Sequence, residues 1–189
     1  MPVDLGRPLA PDPYAAFPTV PAFALTSTDF TEGQPLGRAQ TAGGGSASPQ
    51  LSWSGFPADT RSFLVSCFDA DAPRGGSWHW LLANIPAAVT SLPAGQPASV
   101  PAVLGRVVFR PDPPIRGALN LPGTFGLPGF MGALPPKGDR PHRYFFAVHA
   151  LDAPRLFLPR GRRTRPAEVI AAATPHMIAR AVLMGTCQR

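Results

Sequence analysis

Two short segments of the sequence place ionisable side chains where apolar, strand-like runs end. The first contains Asp69, Asp71 and Pro73 and continues to His79. Because one residue separates the two aspartates, an extended chain would project both carboxylates from the same face. Pro73 stops the strand and forces a turn, and the apolar run after His79 can return alongside. We therefore expect the imidazole of His79 to approach both carboxylates.

The second segment follows a loop rich in glycine and proline, and it adds an imidazole and a phenol. The loop supplies Gly132, Pro135 and Pro136, and the strand that follows supplies His142 and Tyr144. His142 and Tyr144 share one face of that strand because they are two residues apart. We expect this face to join the first segment in a small polar pocket.

The residue types in this pocket suit the binding of an anion. A protonated histidine, a tyrosine hydroxyl and free backbone N–H groups can donate to a phosphate or carboxylate oxygen. The aspartates would raise the pKa of a neighbouring imidazole, and they could also accept from a ligand ammonium or hydroxyl. The pattern therefore favours a zwitterionic or hydroxylated anion over a bare one.

The same residues could instead transfer protons in a reaction. Histidine and aspartate within hydrogen-bond reach can act as general acid and base. Asp69, Asp71, His79 and His142 are then the candidate catalytic residues of a lyase, isomerase or cyclase acting on a small metabolite. The spacing matches no strong metal motif, so we expect no metal or other cofactor. Taken singly, each residue is also an ordinary cap or turn residue.

The elements that position these residues belong to a chain of 189 residues with 26 prolines and 19 glycines. A hydrophobic fraction of 44% and a charged fraction of 15% indicate one globular domain rather than disorder. No apolar run approaches the roughly 20 residues of a membrane helix, so we expect no transmembrane segment. The start lacks a secretion signal, and Cys67 and Cys187 match no metal or redox spacing. We expect a cytoplasmic protein.

The net charge of +6 comes almost entirely from arginine. The densest basic run is Arg160, Arg162, Arg163 and Arg165, and such a run can contact nucleic acid or an anionic membrane. No aromatic residues alternate with these arginines, and no recognition-helix pattern surrounds them. We interpret the run as a solvated loop and expect no nucleic-acid partner.

Chain patterning predicts a mainly antiparallel β protein. Residues 1–21 form a proline-rich arm without periodicity, and residues 22–189 form the single domain. Residues 110–136 are too rich in proline and glycine for regular structure and are expected to form a long, irregular loop. A C-terminal helical segment is predicted over 166–185, as a short helix at 166–173 and a second helix that starts after Thr174. The strand candidates, bounded by Pro, Gly or Asp, are residues 23–28, 51–53, 61–68, 79–84, 103–109 and 144–151.

Several pieces of the sequence, in order, resemble the phosphatidylethanolamine-binding protein family in its bacterial Raf-kinase-inhibitor-like branch. The pieces cover about residues 22–152 and are Ser-Pro-Gln-Leu at 48–51, Trp-Ser-Gly at 53–55, Thr-Arg-Ser-Phe at 60–63, Asp-Ala-Asp-Ala-Pro at 69–73, Trp-His-Trp at 78–80, Asn-Ile-Pro at 84–86, Pro-Pro-Lys-Gly at 135–138 and His-Arg-Tyr at 142–144. The C-terminal helix with Ile178 to Ala181 also fits that branch.

The resemblance implies a β-sandwich with Greek-key character, short peripheral helices and a surface pocket for an anion. It also implies a cis Ala72–Pro73 bond. Matched residue by residue, the implied ligand-binding set is Asp69, Asp71, Pro73, His79, Gly132, Pro135, Pro136, His142 and Tyr144. Two departures stand out, because Phe130 replaces a usual tyrosine and Leu134 puts an apolar side chain at the pocket mouth. Both favour a ligand with an apolar body.

Three functions follow as hypotheses. The first is non-catalytic binding of a small anion, which would be phosphate, a phospholipid head group or a carboxylate, with His79 and His142 as donors oriented by Asp69 and Asp71. The second is the acid–base enzyme described above, with residues 110–129 as a possible substrate lid. The third, suggested by the family name, is inhibition of a kinase or protease partner through exposed loops.

Overall fold

The computed structural model describes residues 5–95, 115–158 and 164–189, and its strands form two antiparallel sheets. The small sheet has the order β1-β2-β5 and the large sheet the order β6-β4-β3-β7-β8. The strands are β1 (Ala24–Thr26), β2 (Leu51–Ser54), β3 (Ser62–Asp69), β4 (Ser77–Pro86), β5 (Ser91–Leu92), β6 (Leu119–Asn120), β7 (His142–Leu151) and β8 (Met177–Cys187).

The two sheets pack face to face around one aromatic and aliphatic core. Trp53 of the small sheet meets Phe63 of β3 edge to face at 5.4 Å between ring centroids, and Phe146 of β7 is fully buried beside them. Such interdigitation of two inner faces is the packing of a β-sandwich. The predicted mainly β, antiparallel sandwich is confirmed.

Strand β3 is apolar along almost its whole length because both of its faces are covered. Phe63, Val65 and Cys67 face the small sheet, whereas Leu64 faces a second cluster that contains Val169 of the helix. This helix, α1 (Pro166–Ala173), has proline in its first turn and a Glu168 carboxylate that accepts the N–H of Arg165 at 2.9 Å. The helix predicted at 166–173 is therefore confirmed.

The second predicted helix, from Thr174 to Gly185, is wrong. Residues Thr174–His176 form one 3₁₀ turn, and β8 then runs along β7 as an antiparallel strand. Every second residue of β8 is buried, which is the period of a strand. The four-residue spacing of Ile178 and Val182 fits a helical stripe and a strand face equally well, so it misled the sequence interpretation. The segment from Ile178 to Ala181 is likewise strand.

The structure also bears on the predicted cis bond and on the predicted loop at 110–136. The Ala72–Pro73 bond is trans, so the predicted cis bond is wrong. The loop predicted at 110–136 is irregular from residue 115 onward except for the short strand β6, and the strand predicted at 103–109 lies outside the described residues.

Residues 5–21 cross the outer face of β7 and β8 without forming a helix or strand. Tyr14 is 7% exposed, and its ring lies under the Arg180 guanidinium at 4.9 Å. Two 3₁₀ turns, Arg38–Gln40 and Ala42–Gly44, precede β2. Among the described residues, no helix has both the length and the apolar character needed to cross a bilayer.

Candidate functional site

Three strands of the large sheet bring polar side chains together at one end of the sandwich. Asp69 is the last residue of β3, His79 lies near the start of β4, and His142 is the first residue of β7. They border a cavity of about 460 Å³. The polar residues that line it are Asp69, Arg74, Ser77, His79, Thr124 and His142.

His142 lies between two buried carboxylates. Its Nδ1 is 2.9 Å from Asp69 Oδ2, and its Nε2 is 3.0 Å from Asp139 Oδ2. A carboxylate only accepts, so each ring nitrogen carries a proton and the imidazole is positively charged. Burial opposes this charge, but the hydrogen bonds that His142 donates to Asp69 and Asp139, together with the charges of these carboxylates, outweigh it and raise the pKa of His142.

This pairing changes the role expected for His142. Both of its N–H groups donate to carboxylates, so neither is left for a ligand in this conformation. His142 instead contributes a fixed positive charge at the cavity wall. The sequence pattern correctly placed Asp69 beside His142 but did not foresee Asp139 on the other side of the ring.

Asp139 is in turn held by an arginine from the N-terminal arm. The two Nη atoms of Arg7 lie 2.9 and 2.8 Å from its two carboxylate oxygens. These hydrogen bonds, aided by those from His142 and the Arg140 backbone, hold the pKa of Asp139 well below its usual range despite burial. Asp139 therefore stays ionised, and the chain Arg7–Asp139–His142–Asp69 alternates in charge.

His79 reaches the cavity because β4 contains a bulge. Cys67 of β3 pairs with Trp80 and Phe68 pairs with Trp78, so His79 is an extra residue on β4. A bulge of this kind redirects the side chain it carries. His79 is 3% exposed, and its ring meets the Tyr144 ring edge to face at 5.2 Å.

The hydrogen bonding of His79 differs from that of His142. Nδ1 lies 2.8 Å from the carbonyl oxygen of Met131, and because a carbonyl only accepts, the proton is on Nδ1. Burial lowers the pKa of His79, and the carbonyl and the charge of Asp69 only partly oppose this. The ring is therefore neutral at pH 7, and Nε2 carries the lone pair.

Asp71 does not share the face of Asp69, and this expectation is wrong. The strand ends at Asp69, and the turn that follows carries Asp71 to the outer side of the sheet. There its carboxylate accepts from Arg143 Nε and Nη2, both at 2.8 Å. Burial opposes ionisation, but the hydrogen bonds and charge of Arg143 outweigh it and lower the pKa of Asp71.

The other predicted site residues fall into two groups. Pro73 and Pro136 line the cavity. Gly132, Pro135 and Tyr144 are not among the residues that line it, and a Cβ on Gly132 would come 2.4 Å from the Thr41 backbone. This glycine therefore permits close packing of two loops.

Two aromatic residues outside this lining are also fixed by packing. The Tyr144 hydroxyl is buried near the Asp69 carboxylate and makes no hydrogen bond of normal geometry to the described residues; burial, aided by the charge of Asp69, raises the pKa of this phenol. The ring of Phe130 packs against Trp80 and Phe146 in the core. The hydroxyl that Phe130 lacks is therefore replaced by apolar packing.

Several residues at the site were missed by the sequence interpretation. Arg74 follows the Asp-Ala-Pro turn directly, at a φ of 70°, and lines the cavity with an exposed side chain. Thr124 and Phe125 come from the unrecognised loop. The adjacency of Arg74 to the turn was a usable signal, whereas nothing local to Arg7 or Asp139 pointed to the site.

The mouth of the cavity is apolar on two sides. Phe125 is 54% exposed and Leu134 is 55% exposed, and both line the cavity. The Phe125 ring also meets the His79 ring at 5.7 Å. The expected apolar character contributed by Leu134 is thus matched by a second side chain from the facing loop.

Comparison with known proteins gives a consistent result. The model of the family described as "Phosphatidylethanolamine-binding protein" matches residues 26–188. The chain is 42% identical over 143 residues to the UPF0098 protein YbcL of Escherichia coli K12. The aligned region covers 71% of this chain and 72% of YbcL. The chain is 44% identical over 119 residues to YbhB of the same organism, with coverage of 62% and 68%.

Solved structures agree with these sequence matches. The crystal structure of E. coli YbcL, described as a new member of the mammalian PEBP family, superposes with a TM-score of 0.76 at 35% identity and covers 88% of this chain and 98% of that one. A putative PEBP homolog of Chlamydia trachomatis, CT736, gives a TM-score of 0.68 at 28% identity, with coverage of 89% and 98%.

Proposed function

The chain belongs to the phosphatidylethanolamine-binding protein family, and we propose that it binds a small organic anion in the cavity at the ends of β3, β4 and β7. The observation that carries this proposal is Arg74. Arg74 lines the cavity, and no ion pair joins its guanidinium to another residue in the described part of the chain. An unpaired guanidinium beside a cavity is suited to a phosphate or carboxylate.

The remaining polar groups support the same ligand class. Ser77 can donate a hydroxyl hydrogen from the cavity wall, and the fixed charge of His142 also lies at the wall. Asp69 accepts from His142 and from the Asp71 N–H at 3.0 Å. Its negative charge is therefore largely compensated, and it opposes an incoming anion less than a free carboxylate would.

The apolar mouth favours an anion that carries a hydrophobic substituent. Phe125 and Leu134 line the cavity with exposed side chains, so the anionic group would contact Arg74 and the substituent would lie between these two apolar side chains. A phospholipid head group and a free aryl or alkyl phosphate both present this chemistry. They differ in whether the substituent continues into a membrane.

Calorimetric titration tests the proposal with inorganic phosphate, phenyl phosphate, phosphorylethanolamine and acetate, and with sedimentation of phosphatidylethanolamine vesicles as the membrane arm. We expect phenyl phosphate to bind about fivefold more tightly than phosphate, through burial against Phe125 and Leu134. Arg74→Gln should weaken both by about tenfold or more.

Arg61→Gln serves as the matched control, since it removes the same charge from an exposed position before β3, at the opposite end of the sandwich. Equal affinities in wild type, Arg74→Gln and Arg61→Gln would refute the proposal. Absence of binding for every anion and for vesicles would refute it as well.

A second candidate function, acid–base catalysis, is favoured by the state of His79. A neutral imidazole with Nε2 as its lone-pair nitrogen is equipped to take a proton from a bound molecule. Mass spectrometry of bound molecules after incubation with a metabolite extract tests this function. A compound that is altered by wild type and left intact by His79→Ala would support an enzyme.

A further inference from the structure

The N-terminal arm contributes to the site although it lies outside the part of the chain that matches the family. The family match begins at residue 26, whereas Arg7 is bound to Asp139 beside the cavity. One Nη of Arg7 also lies 3.5 Å from His142 Nε2 and donates to the Asp71 carbonyl at 3.2 Å. A single side chain of the arm thus contacts three residues around the pocket.

Several separate contacts hold the arm in this place. Arg143 donates to the Ala10 carbonyl at 2.7 Å, and Arg140 donates to the Leu5 carbonyl at 2.8 Å and to the Arg7 carbonyl. Further along, Tyr14 is buried against β7 and β8. Arg7 is therefore presented by an anchored segment.

The charges around His142 show what Arg7 changes. Asp69 and Asp139 carry two negative charges and His142 carries one positive charge, so these three side chains together are negative. Adding the guanidinium of Arg7 makes the group neutral. Asp139 is 2% exposed, so solvent screens its charge poorly. Without Arg7, a net negative group would lie beside the cavity that is proposed to bind an anion.

We propose that Arg7 is a positioning residue of the pocket: the arm completes the site by neutralising Asp139, so that the charge beside the cavity permits an anion to bind. The ligand part of this inference rests on the proposed function. The arm then determines anion specificity through charge, without touching the ligand.

Anion affinity in full-length variants tests the inference. We expect Arg7→Gln to weaken the binding of phenyl phosphate about tenfold, because it leaves one uncompensated buried charge near the ligand. Arg7→Lys keeps the charge and should recover most of the affinity, while Arg61→Gln should stay within about twofold of wild type. Wild-type affinity in Arg7→Gln would overturn the inference.

A double variant separates charge from simple loosening of the arm. Arg7→Gln combined with Asp139→Asn removes both members of the ion pair and leaves Asp69 and His142 to balance each other. We expect this variant to bind phenyl phosphate within about threefold of wild type. A double variant as weak as Arg7→Gln would mean that the arm acts through structure alone, and would overturn the charge argument.

A measurement without ligand keeps the inference testable if the proposed function fails. The groups that face His142 are Asp69, Asp139, Arg7 and His79. Removing the guanidinium beside Nε2 should raise the NMR titration midpoint of His142 by about half a unit or more in Arg7→Gln, with no change in Arg61→Gln. An unchanged or lowered midpoint would overturn the inference. Loss of anion binding in wild type itself would count against the proposed function and leave this result standing.

Discussion

Strand β7 carries two buried histidines whose surroundings impose opposite charge states. His142 lies at the pocket end, between two carboxylates that raise its pKa. His149 lies further along on the opposite face, where burial and the charge of Arg180 lower its pKa to about 3. Neither side chain is measurably exposed. The neighbouring groups, and not burial by itself, therefore decide which histidine is charged.

The partners of His149 also define its tautomer. Arg180 Nε donates to His149 Nδ1 at 3.4 Å, so the ring proton is on Nε2, which lies 3.2 Å from Ser66 Oγ. His149 thus donates to the serine and cannot accept its proton. The rings of Tyr14 and Phe17 cover the pair from the arm. This serine–histidine pair is structural, whereas the pocket end of β7 is built from ions.

The largest effect on stability should come from removing a carboxylate beside His142. Asp139→Ala leaves Arg7 and His142 without their shared carboxylate, and we expect a loss of about 3 kcal/mol in the free energy of unfolding. The matched control is Asp152→Ala, because Asp152 pairs with His176 where both side chains are more than 40% exposed. That change should cost less than about 0.5 kcal/mol. Urea denaturation at pH 7 measures both, and equal losses would contradict the assigned difference between the two pairs.

Acidification should lower the free energy of unfolding mainly through His149. The folded pKa of His149, about 3, lies below its unfolded value, so its stabilising contribution is complete above about pH 6.5 and decreases as the pH falls. Between pH 7 and pH 5 this amounts to about 2 kcal/mol.

His149→Gln keeps a polar side chain that does not titrate, so it should lose less stability over this interval than wild type. His142 has the opposite sign, because a raised pKa adds stability at low pH that is lost as the pH rises through the folded value. Denaturation of wild type and His149→Gln at both pH values checks the contrast. Parallel losses in the two proteins would show that His149 does not titrate on unfolding.

The smallest effect should come from two tyrosine hydroxyls, one at each end. Tyr144→Phe removes a buried hydroxyl that lies near Asp69 but makes no hydrogen bond of normal geometry in the described residues, and should leave stability unchanged or raise it by up to about 1 kcal/mol. Tyr14→Phe removes a hydroxyl 3.5 Å from Ser66 Oγ and should cost about 0.5 kcal/mol. Thermal unfolding of both variants measures the order, and a destabilised Tyr144→Phe with an unaffected Tyr14→Phe would reverse the interpretation.

Much of the fold was predictable because its signals are local. Strands β2, β3, β4 and β7 are apolar runs bounded by residues that stop strands, and proline marks the start of α1. β8 was not predictable in the same way, since its alternation of buried residues also contains helical spacings. Pairing with β7 makes this segment a strand and not a helix. Such pairing depends on residues that are distant in the sequence.

The site shows the same division between local and long-range information. Asp69, His79 and His142 were predicted from their positions at strand ends, and they do meet at the cavity. Asp71 was placed on the wrong face because an extended chain was assumed beyond the end of β3. Arg7 and Asp139 are 132 residues apart in the chain, so no spacing rule could connect them.

The bulge in β4 separates the residue that supplies the pocket imidazole from the residues that pair with β3. Pairing between β3 and β4 resumes on both sides of His79, and a second register shift lies further along, between Phe63 and Val65. The position that carries the pocket imidazole is thus one that has no partner residue on β3. A substitution at position 79 therefore changes the pocket imidazole without removing a residue that pairs with β3.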